Sequence, residues 1–101
     1  MANYILTNRA VADLTDIWEY TLVVWSERQA DKYYVEIISA IEEIALCPSI
    51  GKEYSNVLSG VFGYRVGRHV IFYREFDSIE IEVIRVLHSM MDIDAHLNDS
   101  I

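Results

Sequence analysis

The sequence predicts an α+β domain in which an antiparallel helical hairpin packs on one face of a small, twisted, mainly antiparallel sheet. The predicted order of elements is strand, helix, helix and then three strands (β-α-α-β-β-β). Two patterns support this order: apolar residues recur every three or four positions up to Pro48, and they alternate with other residues from Phe62 onward. A chain of 101 residues holds one hydrophobic core, so we expect a single domain over residues 1–101.

The first strand and the first helix are predicted between residues 4 and 25. Residues 4–6 form a short apolar run, and Thr7 or Asn8 can cap the next helix because such side chains accept backbone hydrogen bonds at a helix start. We expect this helix to end near Trp25. Its apolar stripe follows helical spacing and consists of Val11, Leu14, Trp18, Leu22 and Trp25.

The second helix is predicted to begin with a capping box, because Ser26 is followed three residues later by Gln29. Pro48 ends it, since the residue before a proline avoids helical backbone angles. The short connection between the two helices predicts an antiparallel hairpin. The stripe of the second helix consists of Ala30, Tyr34, Ile37, Ile41 and Ile44. The large aromatic residues of both helices are interpreted as core residues: Trp18, Trp25, Tyr33 and Tyr34.

The second half of the chain is predicted to be a long irregular segment followed by strands. Residues 48–61 contain two glycines and no clear period, and loops of this length are often functional or mobile. Strands are expected at 62–66, 69–75 and 79–88, with turns at Gly67 and at residues 77–78. A short helix is expected at 90–98.

The last predicted strand has two faces. One should carry Ile79, Ile81, Val83, Arg85 and Leu87, and the other Glu80, Glu82, Ile84, Val86 and His88. Apolar residues on both faces beyond Val83 predict a partly covered inner strand. The sheet face away from the helices is expected to be at least partly free and to bind a partner.

Composition limits the compartment and the partners. The only cysteine is Cys47, so no internal disulfide can form, which fits a reducing compartment. No apolar run approaches the roughly 18 residues of a membrane span, and no secretory signal pattern is present, so we expect a cytoplasmic protein with no membrane partner. The net charge of −8 opposes binding to a polyanion, so we expect no direct sequence-specific contact with nucleic acid.

Four of the eight basic residues lie in the predicted sheet: Arg65, Arg68, Arg74 and Arg85. If their strands are adjacent, they could form a cluster that holds anions. Alternatively, each pairs with a nearby carboxylate such as Glu75, Glu80 or Glu82. Arg85 lies between apolar neighbours, and a buried charge there must be paired.

His69 and His88 are candidate acids or bases, because imidazole titrates near neutral pH. Their alternative role is structural, as hydrogen-bonded residues at strand ends. The histidines and the cysteine show no metal-ligand spacing, and no glycine-rich phosphate loop or dinucleotide motif is present, so we expect neither a metal nor a cofactor.

Four segments, in this order, resemble one family of proteins over nearly the whole chain. They are residues 12–20 (Ala-Asp-Leu-Thr-Asp-Ile-Trp-Glu-Tyr), 47–52 (Cys-Pro-Ser-Ile-Gly-Lys), 67–74 (Gly-Arg-His-Val-Ile-Phe-Tyr-Arg), and 83–88 (Val-Ile-Arg-Val-Leu-His) with residues 91–92 closing the pattern. The chain resembles the RelE/ParE superfamily of type II toxin–antitoxin toxins, and in particular its ParE, plasmid-stabilisation branch.

The resemblance implies the fold predicted above and a cognate ParD-like antitoxin that folds as it binds. In the ParE branch the target is DNA gyrase, and in the RelE branch it is mRNA on the ribosome. The resemblance supplies no sharp motif for the contact residues. From their chemistry and their place on the predicted sheet, the partner-binding residues are expected to be Arg65, Arg68, Tyr73, Arg74, Arg85 and His88.

The two branches make different chemical demands. RNA cleavage needs an acid, a base and several cations around the scissile phosphate. The position of a RelE-like middle-strand arginine corresponds here to Val70, and the 48–61 segment offers only Lys52. We therefore favour a toxin that binds and poisons gyrase and performs no chemistry itself. The alternatives are a ribosome-dependent endoribonuclease using Arg65, Arg68, Arg85 and His88, and a non-toxic member that still binds antitoxin.

Overall fold

The computed structural model describes residues 3–55, 57–77, 79–91 and 93–98. The predicted order of strands and helices is confirmed, with one short strand added inside the 48–61 segment. The elements are β1 (Asn3–Leu6), α1 (Asn8–Val24), α2 (Glu27–Leu46), a 3-10 turn (Pro48–Ile50), β2 (Lys52–Glu53), β3 (Phe62–Val66), β4 (His69–Glu75), β5 (Glu80–His88) and α3 (Ile93–Asn98). Among the described residues, no helix has the length and apolar character to cross a membrane.

The five strands form one mixed sheet in the order β1-β5-β4-β3-β2. β1 runs parallel to β5, and the other pairs are antiparallel. β5 is therefore an inner strand, as its apolar residues predict. β2 was missed in the sequence because it contributes only Lys52 and Glu53, which pair with Gly63 and Phe62.

Both helices begin at the predicted caps. The Thr7 hydroxyl accepts a hydrogen bond from the Ala10 N–H at 3.1 Å, and the Ser26 hydroxyl accepts one from the Gln29 N–H at 3.1 Å. The indole N–H of Trp18 donates to Asp31 at 3.0 Å and links the two helices. α2 ends at Leu46, immediately before the Cys47–Pro48 pair.

The buried face of α1 differs from the predicted stripe. Ala10, Leu14 and Thr21 are buried, whereas Val11 is 48% exposed and Trp25 is 72% exposed. The buried positions Ala10 and Thr21 each lie one residue before a predicted stripe position, so the helix is rotated slightly about its axis. Hydrogen bonds that join Thr7 and Asp13 to β5 hold the helix in this orientation. In α2 the predicted stripe is buried except for Tyr34, which is exposed while its neighbour Tyr33 is half-buried.

The sheet separates two cores, and much of the face that was expected to be at least partly free is covered. The first core lies between the helices and the sheet and includes Ile37, Ile41, Ile71 and Val83. The second lies on the opposite face, where Val61 and Leu97 cover apolar strand residues; its buried members are Val61, Val70, Phe72, Ile84, Leu87 and Leu97. β4 is buried on both faces from Val70 to Tyr73, so each face needs a cover.

A β-bulge in β5 changes which residues share a face. Phe72 pairs with Arg85, but the next residue, Tyr73, pairs with Val83, so Ile84 is the extra residue. As a result Val86 joins Ile81 and Val83 in the first core, and Ile84 and Leu87 lie in the second. The strict alternation predicted for residues 79–88 is wrong beyond this bulge.

Candidate partner-binding site

A groove of about 810 Å³ lies at one end of the molecule. It lies between the adjoining ends of α1 and α2, the turn between β3 and β4, and the end of β5. We call it the histidine groove. Its lining residues are Asp16, Ile17, Tyr20, Thr21, Val24, Trp25, Gln29, Tyr33, Gly67, Arg68, His69, His88, Met90 and Met91.

The rim of the histidine groove is apolar and exposed. Trp25 and Tyr20 extend from the end of α1, and Met90 and Met91 follow β5; all four are exposed large side chains. Exposed apolar side chains that cluster around a concavity are typical of surfaces that bind another macromolecule. The sequence predicts Trp25 as a core residue, but it is exposed on this rim, because exposed and buried aromatic residues can share the same helical spacing.

Two histidines form the floor of the groove. His69 on β4 pairs in register with His88 on β5, and their rings meet edge-on with centroids 5.2 Å apart. Burial lowers the pKa of His69 to about 4, with a further contribution from His88 and an opposing one from Asp13. At neutral pH His69 is therefore uncharged. Among the described residues, no group of three or more His, Cys, Asp and Glu side chains is arranged to hold a metal.

Tyr33 holds the β3–β4 turn against the helices. Its hydroxyl lies 2.6 Å from Nδ1 of His69 and 3.1 Å from the carbonyl oxygen of Val66, and it accepts a bond from the Arg68 N–H at 3.2 Å. Gly67, at φ +56°, lies against the Tyr33 ring, where a Cβ would come within 2.8 Å. Burial raises the pKa of Tyr33, so this hydroxyl stays protonated at neutral pH.

The four predicted arginines do not converge. Arg68 lines the histidine groove, and Arg65 lies exposed on β3 opposite Val70. Arg74 lies on β4 four residues beyond Val70, the residue opposite Arg65. The two arginines are therefore separated by about 13 Å along the strand direction, at about 3.3 Å per residue. Arg74 pairs with Glu82 at 2.7 Å, one of the carboxylates proposed for it. An anion-binding cluster of all four side chains is therefore excluded by the register.

Arg85 is paired, as its apolar neighbours require, but its partner was not predicted. Its Nε and Nη2 atoms donate to the Asp13 carboxylate at 2.7 and 2.9 Å, and the Val86 N–H donates to the same carboxylate at 3.0 Å. Both side chains of this ion pair are mostly buried, with 12% and 13% of their surface exposed. Asp13 therefore occupies the donors of Arg85 that a bound anion would otherwise use.

Tyr73, predicted among the partner-binding residues, is instead a fully buried core residue. Its hydroxyl donates to the carbonyl oxygen of Pro48 and accepts a bond from the Gly51 N–H at 3.0 Å. Burial raises its pKa. Its role in this structure is to tie the segment after α2 to β4. Of the six predicted residues, the structure places only Arg68 and His88 in the histidine groove.

Comparison with known proteins identifies the family. The model of the family described as "ParE toxin of type II toxin-antitoxin system, parDE" matches residues 4–93. The chain belongs to this ParE toxin family. It is 42% identical to Toxin ParE1 of Caulobacter vibrioides over 97 residues, which is 96% of this chain and 99% of the relative. It is 36% identical to Toxin ParE1 of Mycobacterium tuberculosis over 95% of this chain and 98% of that one.

Solved structures show the same fold for this ParE toxin. A chromosomal ParDE system from P. aeruginosa aligns with a TM-score of 0.71 at 20% identity, covering 87% of this chain and 95% of that chain. The toxin–antitoxin complex RelBE2 of Mycobacterium tuberculosis aligns with a TM-score of 0.53 at 22% identity, covering 86% and 96% of the two chains. The resemblance predicted from the four sequence segments is confirmed by the family model and the two relatives, and the solved structures confirm the predicted fold.

Proposed function

We propose that this ParE-family toxin binds and poisons DNA gyrase, and that a ParD-like antitoxin neutralises it by occupying the histidine groove. The observation that carries the proposal is the groove itself, which has an apolar, exposed rim and a floor of hydrogen-bonded histidines. Such a surface suits macromolecular contact, because apolar side chains supply the binding energy and a few polar groups fix the orientation.

The chemistry of the groove suits an antitoxin helix. An amphipathic helix buries its apolar side chains in a groove as anchors spaced three or four residues apart. Tyr20, Val24 and Trp25 offer apolar contacts along one wall. Arg68 at the opposite wall can pair with a carboxylate of the antitoxin.

The placement of the polar residues supports binding over phosphodiester chemistry. Of the four residues that the nuclease alternative requires, Arg68 and His88 line the groove, Arg85 is paired with Asp13, and Arg65 lies exposed on β3. The strand position where a RelE-like arginine would stand is Val70, which is buried in the second core. A cleavage site needs cations that face the phosphate, whereas here Arg85 donates to Asp13 and the Nε of Arg65 donates to the Gly67 carbonyl.

The test is DNA supercoiling by purified gyrase with increasing amounts of the purified toxin. We expect supercoiling to stop and cleaved DNA to accumulate, and we expect prior addition of antitoxin to prevent both effects. If supercoiling continues and no cleavage complex is trapped, gyrase is not the target.

One observation favours the nuclease alternative: Arg68 and His88, two of the four residues it requires, line the same groove. It is examined by adding the toxin to translating ribosomes and mapping the ends of the mRNA. Cuts at defined codon positions that disappear in His88→Gln, with an unchanged circular dichroism spectrum, would favour the nuclease. A toxin that acts on gyrase leaves the mRNA intact.

A further inference from the structure

One edge of the sheet is only partly paired. β2 covers β3 at Phe62 and Gly63 alone, and among the described residues no strand lies beside Tyr64, Arg65 and Val66 on that side. Backbone groups of successive strand residues point to alternate edges. The Tyr54 N–H donates to the Val61 carbonyl at 2.8 Å, so the backbone groups of Val61 point toward β2. By alternation, the backbone N–H and C=O groups of Gly63 and Arg65 point toward the same side. Arg65 therefore presents its peptide N–H and C=O at the open edge.

A second groove runs beside this edge. It has a volume of about 370 Å³ and lies between one face of α2 and the residues of the open edge. The helix contributes Val35, Glu36 and Glu43 to its wall, and Val35 is exposed. We call this combination of open strand and helix face the edge groove. It is separate from the histidine groove, with which it shares no lining residue.

The charges of the edge groove specify an occupant. Tyr64 and Val66 face the helices, whereas Arg65 faces the opposite side of the sheet and is exposed. A residue paired with Arg65 would lie beside the guanidinium, so a carboxylate is favoured there. The residues on either side of it would point toward α2, where Glu36 and Glu43 favour basic side chains whose aliphatic stems can cover Val35.

We propose that the edge groove binds an extended segment of a partner protein, added antiparallel to β3, with an acidic residue opposite Arg65 and basic residues on both sides of it. Backbone hydrogen bonds to Arg65 would supply affinity, and the alternating charges would supply specificity. A second copy of this chain fits poorly, because a two-fold pairing centred on Arg65 would place two guanidinium groups opposite each other. This inference does not depend on which enzyme the toxin poisons.

The test uses the full chain and a capped peptide of the order threonine, valine, lysine, glutamate, lysine, valine, threonine. We expect saturable shifts of the Arg65 and Val66 amide signals in ¹⁵N NMR spectra and slower hydrogen exchange at the Arg65 amide. The same peptide with an N-methyl group on its central glutamate should not bind, because it cannot donate to the Arg65 carbonyl. Signals of Tyr20 and Trp25, which line the histidine groove at the end of α1 and away from this edge, should not shift.

Charge exchange provides the control for side-chain specificity. Arg65→Glu should weaken binding of the peptide about two- to fivefold, as expected for reversing one cross-strand charge pair. Binding should return when the central glutamate is replaced by arginine. Arg74→Gln, another exposed arginine on the neighbouring strand, should leave the dissociation constant unchanged.

Two results would overturn the proposal. One is the absence of saturable shifts at Arg65 at millimolar peptide. The other is a dimer in sedimentation experiments in which the Arg65 amide is protected from hydrogen exchange, while the same amide exchanges freely in the monomer. That result would make the edge an interface between two copies of this chain.

Discussion

Asp13 shows how a single polar residue positions two elements. It lies on α1, and its carboxylate accepts two bonds from the Arg85 side chain and one from the Val86 N–H. These donors lie next to the bulge, where no described strand pairs with β5 on the β1 side because β1 ends at Leu6. The carboxylate thus accepts hydrogen bonds from a mostly buried guanidinium and from a backbone N–H.

We predict that Asp13→Asn lowers the free energy of unfolding by about 3 kcal/mol, because it removes the negative charge that pairs with the mostly buried Arg85 guanidinium. The matched control is Glu82→Gln, which breaks the more exposed pair with Arg74 and should cost less than about 1 kcal/mol. Both values come from urea denaturation followed by circular dichroism. Equal costs for the two variants would show that the Asp13–Arg85 pair has no special structural role.

His69 is expected to make stability depend on pH. Its pKa is about 4 in the folded chain against an ordinary value of 6.5, so the unfolded chain takes up the proton first. The groups that face it are Tyr33, His88 and, at longer range, Asp13.

We predict that the free energy of unfolding contributed by His69 is constant above pH 6.5 and decreases as the pH falls from 6.5 to about 4. The measurement is the difference in unfolding free energy between the wild type and His69→Gln, determined in urea at several pH values. Taking the difference removes the pH dependence contributed by carboxylates that both proteins share. A difference that does not change between pH 7 and pH 4 would show that the folded state does not oppose protonation of His69.

At the scale of elements, Thr7 joins the helix start to the bulge. Its hydroxyl accepts the capping bond from the Ala10 N–H and donates to the Ile84 carbonyl at 2.7 Å, while its own N–H donates to the Val83 carbonyl at 3.1 Å. α1 therefore begins where β1 stops pairing with β5. At this point Thr7 donates to the backbone carbonyls of Val83 and Ile84, which a longer β1 would otherwise have paired. This attachment sets which face of α1 meets the sheet.

We predict that Thr7→Val lowers the free energy of unfolding by about 2 kcal/mol, because it removes a helix cap and leaves the Ile84 carbonyl without a donor. Thr7→Ser keeps the hydroxyl and should cost less than half as much. Thermal unfolding of the three proteins at one pH tests this. A serine variant as unstable as the valine variant would contradict the prediction, because serine retains the hydroxyl.

These elements also show what the sequence could predict. Both helix caps carry local signals, so Thr7 and Ser26 were placed correctly. The bulge at Ile84 and the pairing of Asp13 with Arg85 depend on contacts between residues far apart in the chain, 72 positions in the second case, and local patterns do not encode them. Arg68 and His88 were predicted as binding residues by their chemistry, whereas the apolar rim was missed because exposed and buried aromatic residues have the same helical spacing.

At the scale of the whole molecule, one sheet supports two grooves whose linings differ in chemistry. The helices cover one face and the 54–61 segment with α3 covers much of the other, so the exposed apolar side chains of the histidine groove collect at one end. The net charge of −8 is spread over the surface and opposes association with a polyanion. A protein partner with its own apolar anchors is the occupant that this arrangement favours.

The end of α1 offers a matched pair of variants for testing the histidine groove. Val24 lines the groove, whereas the adjacent Val23 is even more exposed and is not part of the lining. We predict that Val24→Glu weakens the antitoxin complex at least about tenfold, because it places a charge where an apolar anchor is buried, and that Val23→Glu changes the dissociation constant less than twofold. Isothermal titration calorimetry with the antitoxin gives both values, and unfolding in urea should show both variants within about 0.5 kcal/mol of the wild type. If the two substitutions weaken the complex equally, the antitoxin binds along the outer surface of α1 and not in the groove.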